Sequence, residues 1–206
     1  MTARPPSGAH VRERQADRSA RTRARVLEAA IRCLHQRGYA ATTTLVVADE
    51  AGVSRGAMQH QFPTKTDLML FVVRAAFDEE MAFYAERLRA VPDPKAQALA
   101  LPELVWEALS RPSGVAVLEI LQGSRSDAGL AERLAPLQAQ IERESFAPAA
   151  RFRTDLGELA SPAMIRLVHW AIRGLSVAQL LAEKPEEVPE SVRLLKRMME
   201  ALVRQA

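Results

Sequence analysis

An all-α chain is expected here, on three grounds. Apolar residues recur at three- and four-residue steps along most of the 206 positions, and no segment of useful length alternates with period two. Glycine, proline and capping hydroxyls fall between the periodic runs, where helices start and stop. Together these signals predict about nine helices, without internal repeats.

Residues 1–16, with Pro5, Pro6 and Gly8 followed by Arg12, Glu13 and Arg14, are expected to form a disordered basic arm. A first helix is predicted from about Asp17 to Arg37, where Val26, Leu27, Ala30, Ile31 and Leu34 make one stripe and Gly38 sits at the C′ position. Cys33 lies beside that stripe and reads as a small buried side chain. Thr42, Thr43 and Thr44 offer N-cap hydroxyls to a short helix that stops at Gly52, and Val53-Ser54 leads into another that ends at Pro63. Thr64, with Asp67 three residues on, is a capping-box start for a long helix to about Ala90, and Val91-Pro92-Asp93-Pro94 breaks it. Further helices are expected from Lys95 to Ser110, kinked or restarted at Pro102, and from Ser113 to Ser124. A longer one starts at Asp127, with Pro136 and Pro148 bending or dividing it. Ser161-Pro162 is an N-cap followed by proline at N1, opening a helix to about Glu183, and a last helix starts near Pro189.

Composition excludes several classes. One cysteine, Cys33, permits neither an intramolecular disulfide nor a paired-cysteine zinc or redox site. No P-loop, G-x-G-x-x-G, H-E-x-x-H or G-x-S-x-G motif occurs, and His10, His35, His60 and His169 are scattered, so neither an enzyme nor a cofactor or metal site is expected. No run of 18 apolar residues occurs and the first 30 residues lack an apolar signal core, so a cytoplasmic protein is expected. The net charge of +3 is unevenly spread: residues 1–66 hold 11 basic against 5 acidic side chains, and residues 67–206 hold 17 against 20. A basic first third on an acidic remainder suggests a nucleic-acid module joined to something else.

Thr42 to Lys65 is the informative stretch. Two helices of about eight residues joined by a glycine turn make a helix-turn-helix. Gly52 can take the left-handed conformation the turn requires. Val47, Ala51 and Val53 supply apolar contacts, and Ala48 lets the helices cross closely. Ser54 caps the second helix and leaves its N-terminal amides facing outward, towards a phosphate oxygen. Few of its residues need burial, chiefly Ala57 and Met58, so Arg55, Gly56, Gln59 and His60 can face a major groove.

The run from Gly38 to Leu68 resembles the N-terminal domain of TetR-family transcriptional regulators. The resemblance is carried by Gly38-Tyr39, Thr42-Thr43, Ala48, Ala51-Gly52-Val53-Ser54, Gly56, Phe62 and Lys65-x-x-Leu68, with Arg25-Val26-Leu27-x-Ala29-Ala30 matching the family's first helix. It covers about 45 residues; the remainder matches only in layout. Two positions depart from the pattern: Gln59 stands where the family usually has tyrosine, and Gln61 where it usually has histidine before the Phe. Base preference therefore does not carry over. The resemblance implies that residues 17–66 bind double-stranded DNA and that residues 67–206 bind a ligand and dimerise. Thr43 and Lys65 are expected on phosphates, with Ser54 and Gln61 as weaker candidates. Arg55 is the candidate for bidentate guanine reading, with Gln59 beside it; a phosphate-only contact is the alternative for Arg55.

The last two helices carry broad apolar stripes. Met164, Leu167, Val168, Ala171, Leu175, Ala178 and Leu181, with Gly174 for close approach, and then Val192, Leu195, Met198/Met199 and Leu202, are expected at a homodimer interface. One-sided packing on the chain's own core is the alternative. Two-fold symmetry would give a palindromic operator. The resemblance also implies an effector pocket, for which Phe77, Met81, Tyr84, Trp106, Leu109, Leu118, Phe146, Phe152 and Trp170 are apolar candidates and Gln122, Arg125 and His169 polar ones. A mostly apolar small molecule is expected there. The whole reads as a ligand-released repressor. The competing reading keeps the fold but makes the protein a DNA-bound structural or division-related factor whose larger half binds another protein.

Overall fold

The computed structural model describes residues 7–150 and 157–205. Among them are nine α-helices and no strand: α1 Ser7–Ala41, α2 Thr44–Ala51, α3 Arg55–Gln61, α4 Lys65–Leu88, α5 Pro94–Leu109, α6 Pro112–Gly123, α7 Ala128–Ala150, α8 Pro162–Leu181 and α9 Val188–Gln205. Two single 3₁₀ turns, Gly157–Ala160 and Pro185–Glu187, precede α8 and α9.

Local chemistry sets most boundaries. Gly38 breaks the helical path of α1 with φ +74°, and the buried Thr42 hydroxyl donates to its carbonyl at 2.8 Å. The Thr43 hydroxyl accepts the Val46 amide, and Ser54 does the same for Ala57. Thr64 and Asp67 form the expected reciprocal capping box on α4. Asp93 and Ser161 cap α5 and α8, each followed by proline at the start of the helix.

Three expectations need correction. Residues 7–16, expected in a disordered arm, are the opening turns of α1. After Pro6 nothing in Ala9–Ala16 breaks a helix, and Arg, Glu, Gln and Ala all favour one, so the helix extends beyond its apolar stripe. Residues 1–6 lie outside the described residues. Pro102 neither kinks α5 into two helices nor restarts it, and α7 runs unbroken past Pro136 and Pro148. Proline removes one amide donor, and the bonds of the flanking turns carry each helix past it.

Two apolar cores organise the chain. The first joins α1–α4 through Leu34, Val47, Met58, Phe62, Leu68 and Met69, and continues into α6 and α7 through Ala116, Ile120, Leu130 and Leu134. The second lies between α4, α5, α8 and α9 around Tyr84, Val105, Leu109, Val168, Ile172, Val192 and Met199. Helix α4 contributes to both. Where α6 ends against the start of the helix-turn-helix, Gly123 lies flat on the Tyr39 ring; a Cβ there would stand 2.3 Å from the ring carbon.

Candidate nucleic-acid interface and ligand cavity

Helix α3 meets α2 through a turn built on Gly52 in the left-handed region, φ +61°. Arg25 reaches across from α1 and donates to the carbonyls of Ala51 and Gly52 at 2.6 and 2.9 Å, satisfying the end of α2. No local pattern announces Arg25 in this role, because its partners lie 26 and 27 residues away. Phe62, at the other end of α3, packs on Phe71 of α4, and the Arg23 guanidinium stacks over both rings. The short helix is held at both ends.

Of its side chains, only Met58 is buried. Ser54, Arg55, Gly56, Gln59 and His60 are exposed on one surface, and Thr43 at the start of α2 is exposed beside them. Gln59 is not wholly free: its amide nitrogen donates to the Pro63 carbonyl at 3.0 Å. Gln61 turns its side-chain oxygen inward. Its side-chain oxygen is buried with no hydrogen-bond partner, because position 61 follows Met58 by three residues and shares its inward face. Lys65 is half-buried, its ammonium donating to the Tyr39 carbonyl at 2.6 Å and lying 3.8 Å from the centre of the Tyr39 ring. Burial lowers its pKa below the usual lysine value, opposed by the charge of Asp127.

Tyr39 is thereby a meeting point. Its hydroxyl donates to Asp127 at 2.6 Å and its amide to Glu119 at 3.1 Å. Burial, together with the Asp127 bond and charge, raises the phenol pKa well above its ordinary value. The start of α4, the end of α6 and the cap of α7 all converge on this one residue.

The larger half contains two neighbouring cavities of about 560 and 500 Å³. Of the candidates, Phe77, Leu109, Phe146, His169 and Trp170 line the first, and Met81, Tyr84 and His169 line the second. Trp106 belongs instead to the packing around the second core, and Leu118 lines neither cavity. Gln122 and Arg125 are exposed, so neither is an anchor. Helix α6 turns Gly114, Val117 and Leu121 inward; positions 118 and 122 lie about 100° further round, and Arg125 follows the end of the helix. Phe152 lies outside the described residues.

Two charged residues of the first cavity, Glu80 and Arg173, were not expected. Glu80 accepts from the Tyr84 hydroxyl at 2.7 Å and pairs with His169 Nε2 at 2.8 Å. Burial raises its pKa, but the bond and charge of His169 and the Tyr84 bond outweigh burial and leave it lowered. Arg173 is buried in α8, where desolvation lowers its pKa.

The expected interface residues divide into two groups. Val168, Val192 and Met199 are buried in the chain's own core, with Met164, Leu175 and Leu195 packed against it. Leu167, Gly174, Ala178 and Leu202 are exposed, with Ala171 half-buried among them. Trp170, Leu181, Leu194 and Met198 extend that outward face. An amphipathic stripe broad enough for two contacts does not say which half faces inward, so the sequence pattern merged them.

A helical chain with a capped, outward-facing recognition helix and a cavity-bearing second half is a DNA-binding regulator in its layout. Residues 26–72 match the family described as bacterial regulatory proteins, tetR family. Over 191 residues, 88% of this chain and 90% of the relative, it is 29% identical to the HTH-type transcriptional regulator CymR of Pseudomonas putida. Among solved structures, a transcriptional regulator from Rhodococcus sp. Rha1 superposes with a TM-score of 0.69 at 21% identity, covering 86% of this chain and 95% of that one. A transcriptional regulator from Saccharomonospora viridis, solved in complex with choline, gives 0.67 at 20% identity, covering 88% and 96%. Residues 26–72 thus carry a TetR-family domain, and the rest of the chain shares the fold of transcriptional regulators of that length. No helix among the described residues is long and apolar enough to cross a membrane.

Proposed function

We propose that this protein is a homodimeric, cytoplasmic repressor that leaves a palindromic operator when a mostly apolar small molecule enters the larger half. The observation that carries the DNA-reading part is the exposed row Arg55, Gly56, Gln59 and His60 on a helix whose Ser54 cap and Phe62 end are both anchored. Residues 17–66 are assigned to reading DNA and residues 67–206 to ligand and partner. Arg55 reads a guanine in the major groove; one such bidentate contact is worth roughly 1–3 kcal/mol of discrimination. Thr43 and Ser54 bond phosphates, and Lys65 holds register from its seat on Tyr39. Gln59, with its nitrogen on Pro63, offers a base chiefly its carbonyl oxygen.

The outward faces of α8 and α9 support the dimer. Leu167, Trp170, Leu181, Leu194, Met198 and Leu202 are each between 47 and 81% exposed, more apolar area than a free surface usually carries. The cavities support a small-molecule effector over a protein partner in the larger half. Helix α4 connects the two activities, since Lys65 and Leu68 support the reading helix while Phe77 and Glu80 line a cavity wall. A ligand acts only through different affinity for the two dispositions of that helix.

The test is selection of bound DNA from random sequence, for wild type, Arg55→Ala and Lys65→Ala. An inverted repeat that loses preference at one base pair with Arg55→Ala, and weakens evenly with Lys65→Ala, is the expected result. Salt-sensitive binding without any enriched sequence would sink the reading and favour the structural-factor alternative. Sedimentation of Leu167→Lys/Met198→Lys should give a monomer; an unchanged mass would place the two-fold contact elsewhere.

A further inference from the structure

Arg173 is nine-tenths buried. Its one hydrogen bond among the described residues is a long one, from Nη1 to the Gly114 carbonyl at 3.5 Å. No carboxylate of those residues stands within ion-pairing distance of it, although it lines the larger cavity. The other basic side chains on the wall are engaged: Arg111 pairs with Glu107, and Arg166 with Glu142. The remaining Arg173 nitrogens are not sealed into protein, since the one fully enclosed unpartnered side-chain atom among the described residues belongs to Gln61. A guanidinium desolvated in this way, with donors turned to a cavity, is a site waiting for an acceptor.

We propose that this cavity binds a monocarboxylate with an apolar body, its carboxylate taken by Arg173 between α4, α6 and α8. The proposal rests on the effector reading above and names the ligand class. A carboxylate matches the planar fork of parallel N–H donors. The Trp170 ring, 5.8 Å from the guanidinium carbon, supports the fork from the preceding turn. Phe77, Val117, Leu121, Ile141 and Phe146 supply an apolar wall for the body of the ligand. Glu79, Glu80 and Glu142 also border the space, so a dianion such as a phosphate monoester meets more repulsion there than a single carboxylate does. A cation is less well served. Glu80 is the buried carboxylate it would need, and His169 and Tyr84 on one oxygen, with the charge of Arg173 nearby, already offset it.

The test compares 4-butylbenzoate, its uncharged amide 4-butylbenzamide, and 4-butylphenyltrimethylammonium, without DNA, by titration calorimetry and tryptophan fluorescence. On the wild type the acid should bind at least about tenfold more tightly than the amide, the margin expected of a charge-assisted pair. Arg173→Lys should keep part of that preference and Arg173→Met should abolish it, with helical content unchanged in both. Equal affinity for acid and amide on the wild type overturns the proposal whether or not the variants fold. So does tighter binding of the ammonium, which would move the anchor to Glu80. Absence of binding by benzoate, 4-butylbenzoate and octanoate at about 1 mM overturns it too. None of these outcomes alters operator selection, so failure here leaves the DNA-reading assignment standing.

Discussion

The helix-turn-helix and the cavity half treat their polar groups differently. Around α2 and α3 the chain ends, though not the inward Gln61 oxygen, are closed by neighbours: Thr43 takes the Val46 amide, Ser54 the Ala57 amide, and Arg25 the last carbonyls of α2. In the cavity half, Glu80 is bonded through one oxygen by residues from two helices, and Arg173, buried beside it, retains unused donors. The contrast separates a part that must keep one shape from a part that must accept something. A recognition helix loses specificity if its ends move, whereas a pocket with every donor already bonded has nothing left to recognise a ligand with.

The strongest way to break that comparison is at the seam between the halves. Gly123→Ala drives a methyl into the Tyr39 ring, and over-packing of this kind costs roughly 1–3 kcal/mol. Urea denaturation should show that loss, and adding Tyr39→Ala should recover part of it through non-additive coupling. Simple additivity would mean the two residues do not bear on each other. Next in size, Gly52→Ala forces a side chain into the left-handed region and against Arg25, for about 1–2 kcal/mol. Operator affinity should fall along with stability; unchanged affinity would show that the turn does not set the aim of α3. Thr64→Ala removes the α4 cap for about 1 kcal/mol, and operator binding at a temperature well below the melting point should hardly change.

The smallest effect is one of pH. The hydrogen bond from Thr64, followed by the Arg133 pair, holds the Asp67 carboxyl below its ordinary value, against a smaller opposing effect of burial. A depressed carboxylate adds stability that is fully present above the usual aspartate range and disappears as pH falls through its folded value. Acid titration of melting temperature should therefore show Asp67→Asn losing its difference from wild type below about pH 4. A difference that persists into stronger acid would assign the effect to packing instead.

How far each half could be read in advance follows the same division. Thr43, Gly52, Ser54, Thr64-Asp67 and Ser161-Pro162 act on amides two to four residues away, so their spacing is visible in the sequence. Arg173 and Glu80 become notable only because α8 folds back on α4; the Glu80–His169 pair spans 89 positions. Gln122 and Arg125 are plausible pocket anchors by residue type alone; the roll of α6 places Gln122 outside, and Arg125 lies past the helix end. The inward carbonyl of Gln61 has the same origin, since periodicity cannot say how a seven-residue helix is rolled about its axis. Pro102, Pro136 and Pro148 mark places where a helix is weakened, and α5 and α7 nevertheless continue through them.

The core beneath the helix-turn-helix has a consequence for anyone wishing to transplant it. Ala116 and Ile120 of α6 and Leu130 and Leu134 of α7 complete the apolar cluster that Leu34, Val47 and Leu68 begin. A chimera cut after residue 66 and fused to a foreign sensor would expose that cluster on one side, and should be recovered as aggregate. Grafting those four positions, together with Leu68, Met69, Val72 and Val73 of α4, into the recipient's corresponding helices, with a glycine opposite Tyr39, is the exchange that should give a soluble hybrid.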